Sequence, residues 1–348
     1  MKFLLPKNMG PRLSYDYCIF GVKVTVRSTA KRVQDHIGSF LGKCQDSKIS
    51  TSPNMQVSFD LHSDEYFPQK PTIPKSAVLI SLPELPVKVY KACREFYLVF
   101  NESWLHLSLA KLHGIGVFDK KIWHHPGAAE NFFFSGICLL LHQCGLYRLH
   151  ASGIVFQEKG FLFIGKSGAG KSTLALTLVK QGWKYLNDDI LFLRLLDSRV
   201  EALAIPIEFK TDDRIFHKLF TKAEQDFAFK LPQCQGLPYY HKYYIRMDRL
   251  YPERFSRRCL PKFLLFTEVI SDTTSKLEII DQHQALKRLI EASLVFVFDD
   301  KSAHNHLAAL GTLVQQTTVY RLYAGQDILN DPDTFEKFLL DNTYRLEK

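Results

Sequence analysis

The chain has 348 residues, 46% of them apolar and 23% charged, which excludes a disordered protein and suggests one large or two modest domains. The net charge of +9 and a pI near 9.0 allow an anionic partner: nucleotide, phosphoprotein, nucleic acid or membrane surface. The basic residues are dispersed, with the tightest groups at Arg254-Phe-Ser-Arg-Arg258 and Lys120-Lys121, so a nucleic-acid enzyme is not expected. Seven scattered cysteines, an odd number with no C-x-x-C, fit a reduced compartment better than a disulfide framework. Met1–Pro6 is too short an apolar stretch for a signal peptide, and the longest nearly apolar run, Phe132 to Leu141, is too short to span a bilayer. The expectation is a soluble, cytoplasmic protein.

In chain order, residues 1–122 read as a β-rich region. Strands are predicted at Tyr15–Val26, Val57–Phe59, Ala77–Ser81, Val87–Tyr90 and Phe96–Phe100, with Pro- and Ser-marked loops around 47–53 and 63–86. No catalytic spacing occurs here, and the region is expected to be a scaffold or to dock a substrate or partner. Residues 123–348 read as a second domain. Ala128–Cys144 is a buried helix stopped by Gly145. Cys138, His142 and Cys144 lie close together on it, but no second ligand pair follows, so they belong to the core rather than to zinc.

Leu149–Phe156 and Phe161–Ile164 are predicted strands joined by a turn at Gln157–Gly160, and a helix follows from Lys171 to about Gln181. Trp183–Leu186 is a strand; Ile190–Leu196 and Val200–Ile205 form a hairpin about Asp197-Ser198. A helix is predicted from Lys210 to about Phe229, then strands at Tyr243–Met247 and Phe263–Glu268. Helices follow at His283–Ser293 and Ala303–Gln316, a strand at Thr318–Leu322, and a last helix with Asp331 as N-cap and Pro332 at its first position. Strands and helices mix without strict alternation, which predicts an α/β fold with a mixed sheet.

Between the strand ending at Ile164 and the helix starting at Lys171 stands Gly165-Lys-Ser-Gly-Ala-Gly-Lys-Ser172, a full match to G-x-x-x-x-G-K-[ST]. Glycines let backbone N–H groups turn toward phosphates, and the helix aims its positive end at the same place. A nucleoside triphosphate is therefore expected along Gly165, Lys166, Ser167, Gly168, Ala169, Gly170, Lys171, Ser172 and Thr173. Lys171 would reach the β- and γ-phosphates, and the Ser172 hydroxyl a Mg²⁺. No Asn-Lys-x-Asp guanine motif and no Leu-Ser-Gly-Gly-Gln transporter signature occurs, so ATP is favoured over GTP. Asp188-Asp189 closes the next strand, where α/β sheets bind ligands. Alternation turns the two carboxylates apart, and one of them could hold Mg²⁺ through water or accept a proton. His150 lies 21 residues before Lys171, at the start of a strand that could run beside the loop strand.

The stretch from His150-Ala-Ser-Gly-Ile-Val through Gly165–Ser172 to Lys180-Gln-Gly-Trp-Lys-Tyr-Leu-Asn-Asp-Asp189 resembles the catalytic domain of HPr kinase/phosphorylase, and more closely the HPr-kinase-related serine kinases. The resemblance implies a fold like the nucleotide-binding domain of phosphoenolpyruvate carboxykinase, and ATP- and Mg²⁺-dependent phosphate transfer to a serine-type hydroxyl. It assigns catalysis to Asp188 as base, His150 beside the moving phosphoryl group, and Lys171 on the phosphates. Ser172, Asp189 and Glu208 are the candidates for the metal. Thr173 stands where HPr kinases carry Glu, the Arg- and Gly-rich loop used for phosphorolysis is not recognisable, and Arg246 is the candidate replacement cation. HPr kinases assemble as hexamers, so the resemblance allows a homo-oligomer and leaves the oligomeric state open. The acceptor is a hydroxyl on a protein, peptide or small molecule. The alternative is a nucleotide-gated binding module that transfers no phosphate.

Overall fold

The computed structural model describes residues 13–45, 55–63, 70–80, 87–124, 127–230, 242–293 and 300–344. The predicted loop at 47–53, much of that at 63–86, and Cys234 lie outside them. The chain divides into two compact units at Cys144–Gly145. That boundary lies beyond residue 122 because the apolar helix after it packs on the first unit's sheet.

In the first unit, β1 (Leu13–Ile19) and β2 (Val22–Ser28) are followed by α1 (Lys31–Cys44) and β3 (Met55–Ser63). Then come β4 (Val78–Ile80), β5 (Lys88–Ala92), β6 (Glu95–Phe100), β7 (Ser103–Ser108), β8 (His113–Phe118) and α2 (Ala128–Gln143). The described strands form one sheet in the order β1-β2-β3-β8-β7-β6-β5-β4. The single strand predicted over Tyr15–Val26 is instead a hairpin, because Phe20 and Gly21 both take positive φ and turn the chain. α1, β7 and β8 were not anticipated, although Val33, Ile37, Leu41 and Cys44 recur at helical spacing and all are buried. Cys138 and His142 are buried in α2, as expected.

The second unit opens with β9 (Leu146–Leu149), β10 (Ala151–Phe156) and β11 (Lys159–Ile164). α3 (Lys171–Lys180), β12 (Lys184–Asn187), β13 (Leu191–Leu196), β14 (Arg199–Leu203) and β15 (Phe209–Thr211) follow. Next are α4 (Asp213–Leu219), α5 (Lys222–Gln225), β16 (Ala228–Lys230), β17 (Tyr243–Ile245), α6 (Met247–Leu250) and β18 (Arg258–Val269). The unit ends with β19 (Lys276–Ile279), α7 (Gln282–Glu291), α8 (Asp300–Gln316), β20 (Thr318–Ala324), α9 (Asp327–Asn330) and α10 (Pro332–Tyr344).

Its main sheet is mixed, with β11, β18 and β20 parallel and the remaining pairs antiparallel. β11 lies between β10 and β18, and β12 flanks β10. The run Phe161–Ile164 is apolar at every position because it is covered on both sides. Phe161 and Phe163 enter a core with α3 and α10, while Leu162 and Ile164 enter another with α7 and α8. β15, β17 and β16 form a separate three-stranded sheet. Asp331 caps α10 as predicted, accepting from Thr334 N at 3.2 Å. None of the helices of the described residues is long and apolar enough to cross a membrane.

Two expectations differ. Leu149–Phe156 is two strands that break at His150, because β9 pairs with β13 while β10 pairs with β11 and β12. The helix predicted from Lys210 to Phe229 is β15, α4, α5 and β16. Side-chain caps restart the chain inside it: Asp212 accepts from Ile215 N, and Thr221 forms a capping box with Glu224.

Candidate functional site

β11 leads into the glycine-rich loop, and α3 starts from it at Lys171. Gly168 and Gly170 sit at φ 83° and 86°, a conformation that side chains with a Cβ adopt at a cost. At Gly165 space decides. A Cβ there would lie 2.8 Å from the Ala169 Cβ and 3.0 Å from both the Thr267 carbonyl and its hydroxyl. Gly165→Ala is expected to lower stability by about 1–3 kcal/mol, read as a reduced denaturation midpoint at unchanged slope. An unchanged midpoint would show that the loop is not so closely seated.

Lys166, Ser167 and Gly168 are exposed, while the Lys171 side chain is buried and turns back into the loop. Its Nζ donates to Gly165 O at 2.7 Å and to Lys166 O at 3.2 Å. The first-turn amides of α3 point from the helix start, where they have no intrahelical acceptor. Thr173 is half-buried on the same turn. A buried ammonium, left-handed glycines and open amides make a cradle whose chemistry suits phosphate oxygens.

The acidic pair stands at the end of β12, beside this cradle. Asn187 is fully buried and holds the turn, donating to Ile190 O and Ile205 O at 3.0 Å each and accepting from Asp188 N at 2.6 Å. Asp188 is 1% exposed. Its Oδ1 accepts from Ser152 Oγ at 2.5 Å and from Ser172 Oγ at 2.9 Å, and its Oδ2 faces Lys210 N at 3.4 Å. Asp189 sits at φ 71° and points elsewhere, to Lys210 Nζ at 3.2 Å. Both carboxylates thus meet Lys210, one at its backbone N and the other at its Nζ, and Ser172 meets Asp188.

Burial, and then the charge of Asp189, push the Asp188 carboxyl up to about 6, against the hydrogen bonds of Ser152 and Ser172 and the charge of Lys210. For Asp189, burial also works upward, but Lys210, His150 and Lys171 outweigh it and hold the carboxyl below its ordinary value. Burial opposes the charge of Lys210, yet Asp189, Tyr244 and Asp188 keep its ammonium above the usual lysine range. The site thus holds one carboxyl raised by burial beside one carboxylate–ammonium pair.

His150 joins β9 to β10, its backbone N donating to Ala292 O at 3.0 Å, and its ring acts on Asp189 electrostatically. Lys171, Ser172, Asp188, Asp189 and His150 are thus brought into one neighbourhood. Glu208 stands half-buried between β14 and β15, two residues before Lys210. Arg246 precedes α6, with its guanidinium 5.3 Å from the centre of the Phe229 ring. Sequence reasoning missed Ser152, Asn187 and Lys210.

Among the described residues, no group of three or more His, Cys, Asp or Glu side chains is placed to hold a metal. The Ser172–Asp188 oxygen pair fits Mg²⁺, which takes few protein ligands and completes its octahedron with phosphate oxygens and water. Asp189 is tied to Lys210 Nζ instead.

The fold is a mixed α/β arrangement with a strand–glycine-loop–helix cradle beside an acidic pair. No family model matches the chain, and no curated protein sequence matches it. Among solved structures, the chain is similar to the HPr(Ser) kinase/phosphatase from Coxiella burnetii, at 13% sequence identity and a TM-score of 0.30 over 58% of this chain and 99% of that one.

Proposed function

We propose that the second unit is a P-loop kinase core that binds Mg²⁺·ATP at Gly165–Thr173 and transfers the γ-phosphoryl group to a hydroxyl acceptor. The observation that carries this reading is the 2.9 Å hydrogen bond from Ser172 to Asp188, which puts an acid at the point where the helix, Lys171 and the loop amides converge. The loop amides and Lys171 bind the β- and γ-phosphates. Ser172 and Asp188 would hold Mg²⁺, which when bound neutralises phosphate charge. The acceptor oxygen attacks phosphorus, the bond to the bridging oxygen breaks, and ADP leaves. Asp188 Oδ2 takes the acceptor proton, a task suited to a carboxyl pushed up to about 6. Lys210, anchored by Asp189, adds positive charge beside Asp188, and His150 helps keep Asp189 ionised. In this reading the metal role moves from Asp189 to Asp188, and Glu208 takes no part in the steps derived. The first unit serves as scaffold or docking surface. A cytoplasmic setting fits the six described cysteines, all free thiols.

A nucleotide-gated module without transfer is the second reading, favoured by the near-complete burial of Asp188. The test is γ-labelled ATP and Mg²⁺ incubated with the protein and with separated protein and small-molecule fractions of its source cell. Label entering one fraction at a rate dependent on Asp188 is expected. ATP binding with no Asp188-dependent label would establish the second reading instead.

A further inference from the structure

Ser152 is fully buried on β10, which is paired on one side with β11 and on the other with β12. Gly153 pairs with Asn187, so Ser152 and Asp188 face each other one step beyond the ladder, and the hydroxyl reaches Asp188 Oδ1 at 2.5 Å. The same oxygen also accepts from Ser172. The two donors stand on different supports. Ser172 lies on the first turn of α3, next to the loop, whereas Ser152 is fixed inside the sheet.

We infer that Ser152 is a positioning residue that holds Asp188 Oδ1 when the Ser172 hydroxyl turns to the phosphate side, so that Oδ2, the oxygen assigned as base, keeps the orientation it has beside Lys210 N. This rests on the kinase reading above. Ser172 has a second task in that reading, and its hydrogen bond to Asp188 is the one given up when nucleotide binds. Without Ser152, Oδ1 of a carboxylate 1% exposed would have no protein donor at that moment, only the Mg²⁺ it helps to hold, and would be free to rotate about its side-chain bonds. Ser152 supplies that donor from inside the sheet, outside the loop. Precise orientation of a base is worth orders of magnitude in rate, so the effect belongs to turnover and not to nucleotide binding.

The experiment measures kcat and the ATP KM by label transfer, and Mg²⁺·ADP affinity by calorimetry. It compares the wild type with Ser152→Ala, Ser152→Cys, Ser152→Thr, Asp188→Asn and the Ser152→Ala/Asp188→Asn pair. Ser152→Ala is expected to lower kcat by about 10–100-fold, with ATP KM and ADP affinity within about threefold. Ser152→Cys keeps the volume but offers only a weak donor, so it should show the same loss even where the Ala variant folds poorly. Ser152→Thr restores the hydroxyl and should recover most of kcat. In the Asp188→Asn background, Ser152→Ala should cost little more, since the two residues act as a unit. Undiminished kcat in the Ala and Cys variants, or a full additive loss on top of Asp188→Asn, would overturn the inference. A loss of ADP affinity matching that of kcat would overturn it too. Failure of the kinase reading looks different: the wild type would then transfer no Asp188-dependent label at all.

Discussion

Asp188→Asn is expected to slow label transfer from ATP by about 10³-fold, to leave Mg²⁺·nucleotide affinity within about tenfold, and to raise thermal stability above neutral pH. The rate effect follows from removing the group that takes the acceptor proton, since Asn accepts hydrogen bonds but is not a base. The amide oxygen can still accept from Ser152 and Ser172, so the cradle keeps its shape. The stability effect has the opposite sign. Asp188 has its carboxyl raised from 3.8 to about 6 in the folded protein, so folding favours the protonated form. That favourable contribution is present at low pH and is lost as pH rises through about 6; above it the buried charge costs stability. A shift of about two units corresponds to ~3 kcal/mol at most, less what the amide forfeits beside Lys210 N. Melting curves at pH 8 should therefore show the variant more stable by about 5 °C, with the gain fading by pH 4. A variant that is less stable at pH 8 than the wild type would show that Asp188 is well solvated or fully compensated in the folded state. A stability gain together with lost turnover is what a functional site built at the expense of stability produces.

Lys171→Met is expected to weaken Mg²⁺·ATP binding by 10²-fold or more while the chain still folds. Methionine fills nearly the same space as the lysine stem, so the packing under the loop is retained. What goes is a buried ammonium whose hydrogen bonds to phosphate oxygens are charge-assisted, each worth about 1.5–3 kcal/mol. Some stability is lost as well, since Lys171 also donates to Gly165 O and Lys166 O and helps hold the loop in its turn. The loss should stay near 1–2 kcal/mol, because Lys166 is exposed and water can replace the donor at its carbonyl. Affinity within threefold of the wild type would mean that nucleotide phosphates do not approach this lysine.

The parts of the site that the sequence showed were those made from contiguous residues. The glycine loop declares itself because its positive φ angles and its space at Gly165 need glycine at fixed offsets from a lysine and a serine. The strand before it reads as an unbroken apolar run because both of its faces are covered. Asp188 was found by its place after a strand. Ser152 and Lys210 were not assigned roles, because their meeting with the acidic pair depends on strand order and register across 36, 22 and 21 residues of chain. Local periodicity does not encode that order. For Lys210 it misled: Ile215, Phe216, Leu219 and Phe220 mimic one long helix, and the caps at Asp212 and Thr221 that divide the segment were the overlooked signal. The β1–β2 hairpin was merged for a similar reason, since Phe20 at positive φ is not a residue from which a turn is ordinarily read.

Calorimetric titration of ATP into the protein, with and without Mg²⁺ and with Lys171→Met alongside, tests the central claim most directly. The expected result is one nucleotide per chain, bound more tightly with Mg²⁺, and at least a hundredfold loss in the variant. Binding that ignores both Mg²⁺ and Lys171, or no binding to the wild type, would contradict a phosphate site at Gly165–Thr173 and with it the proposed chemistry at Asp188.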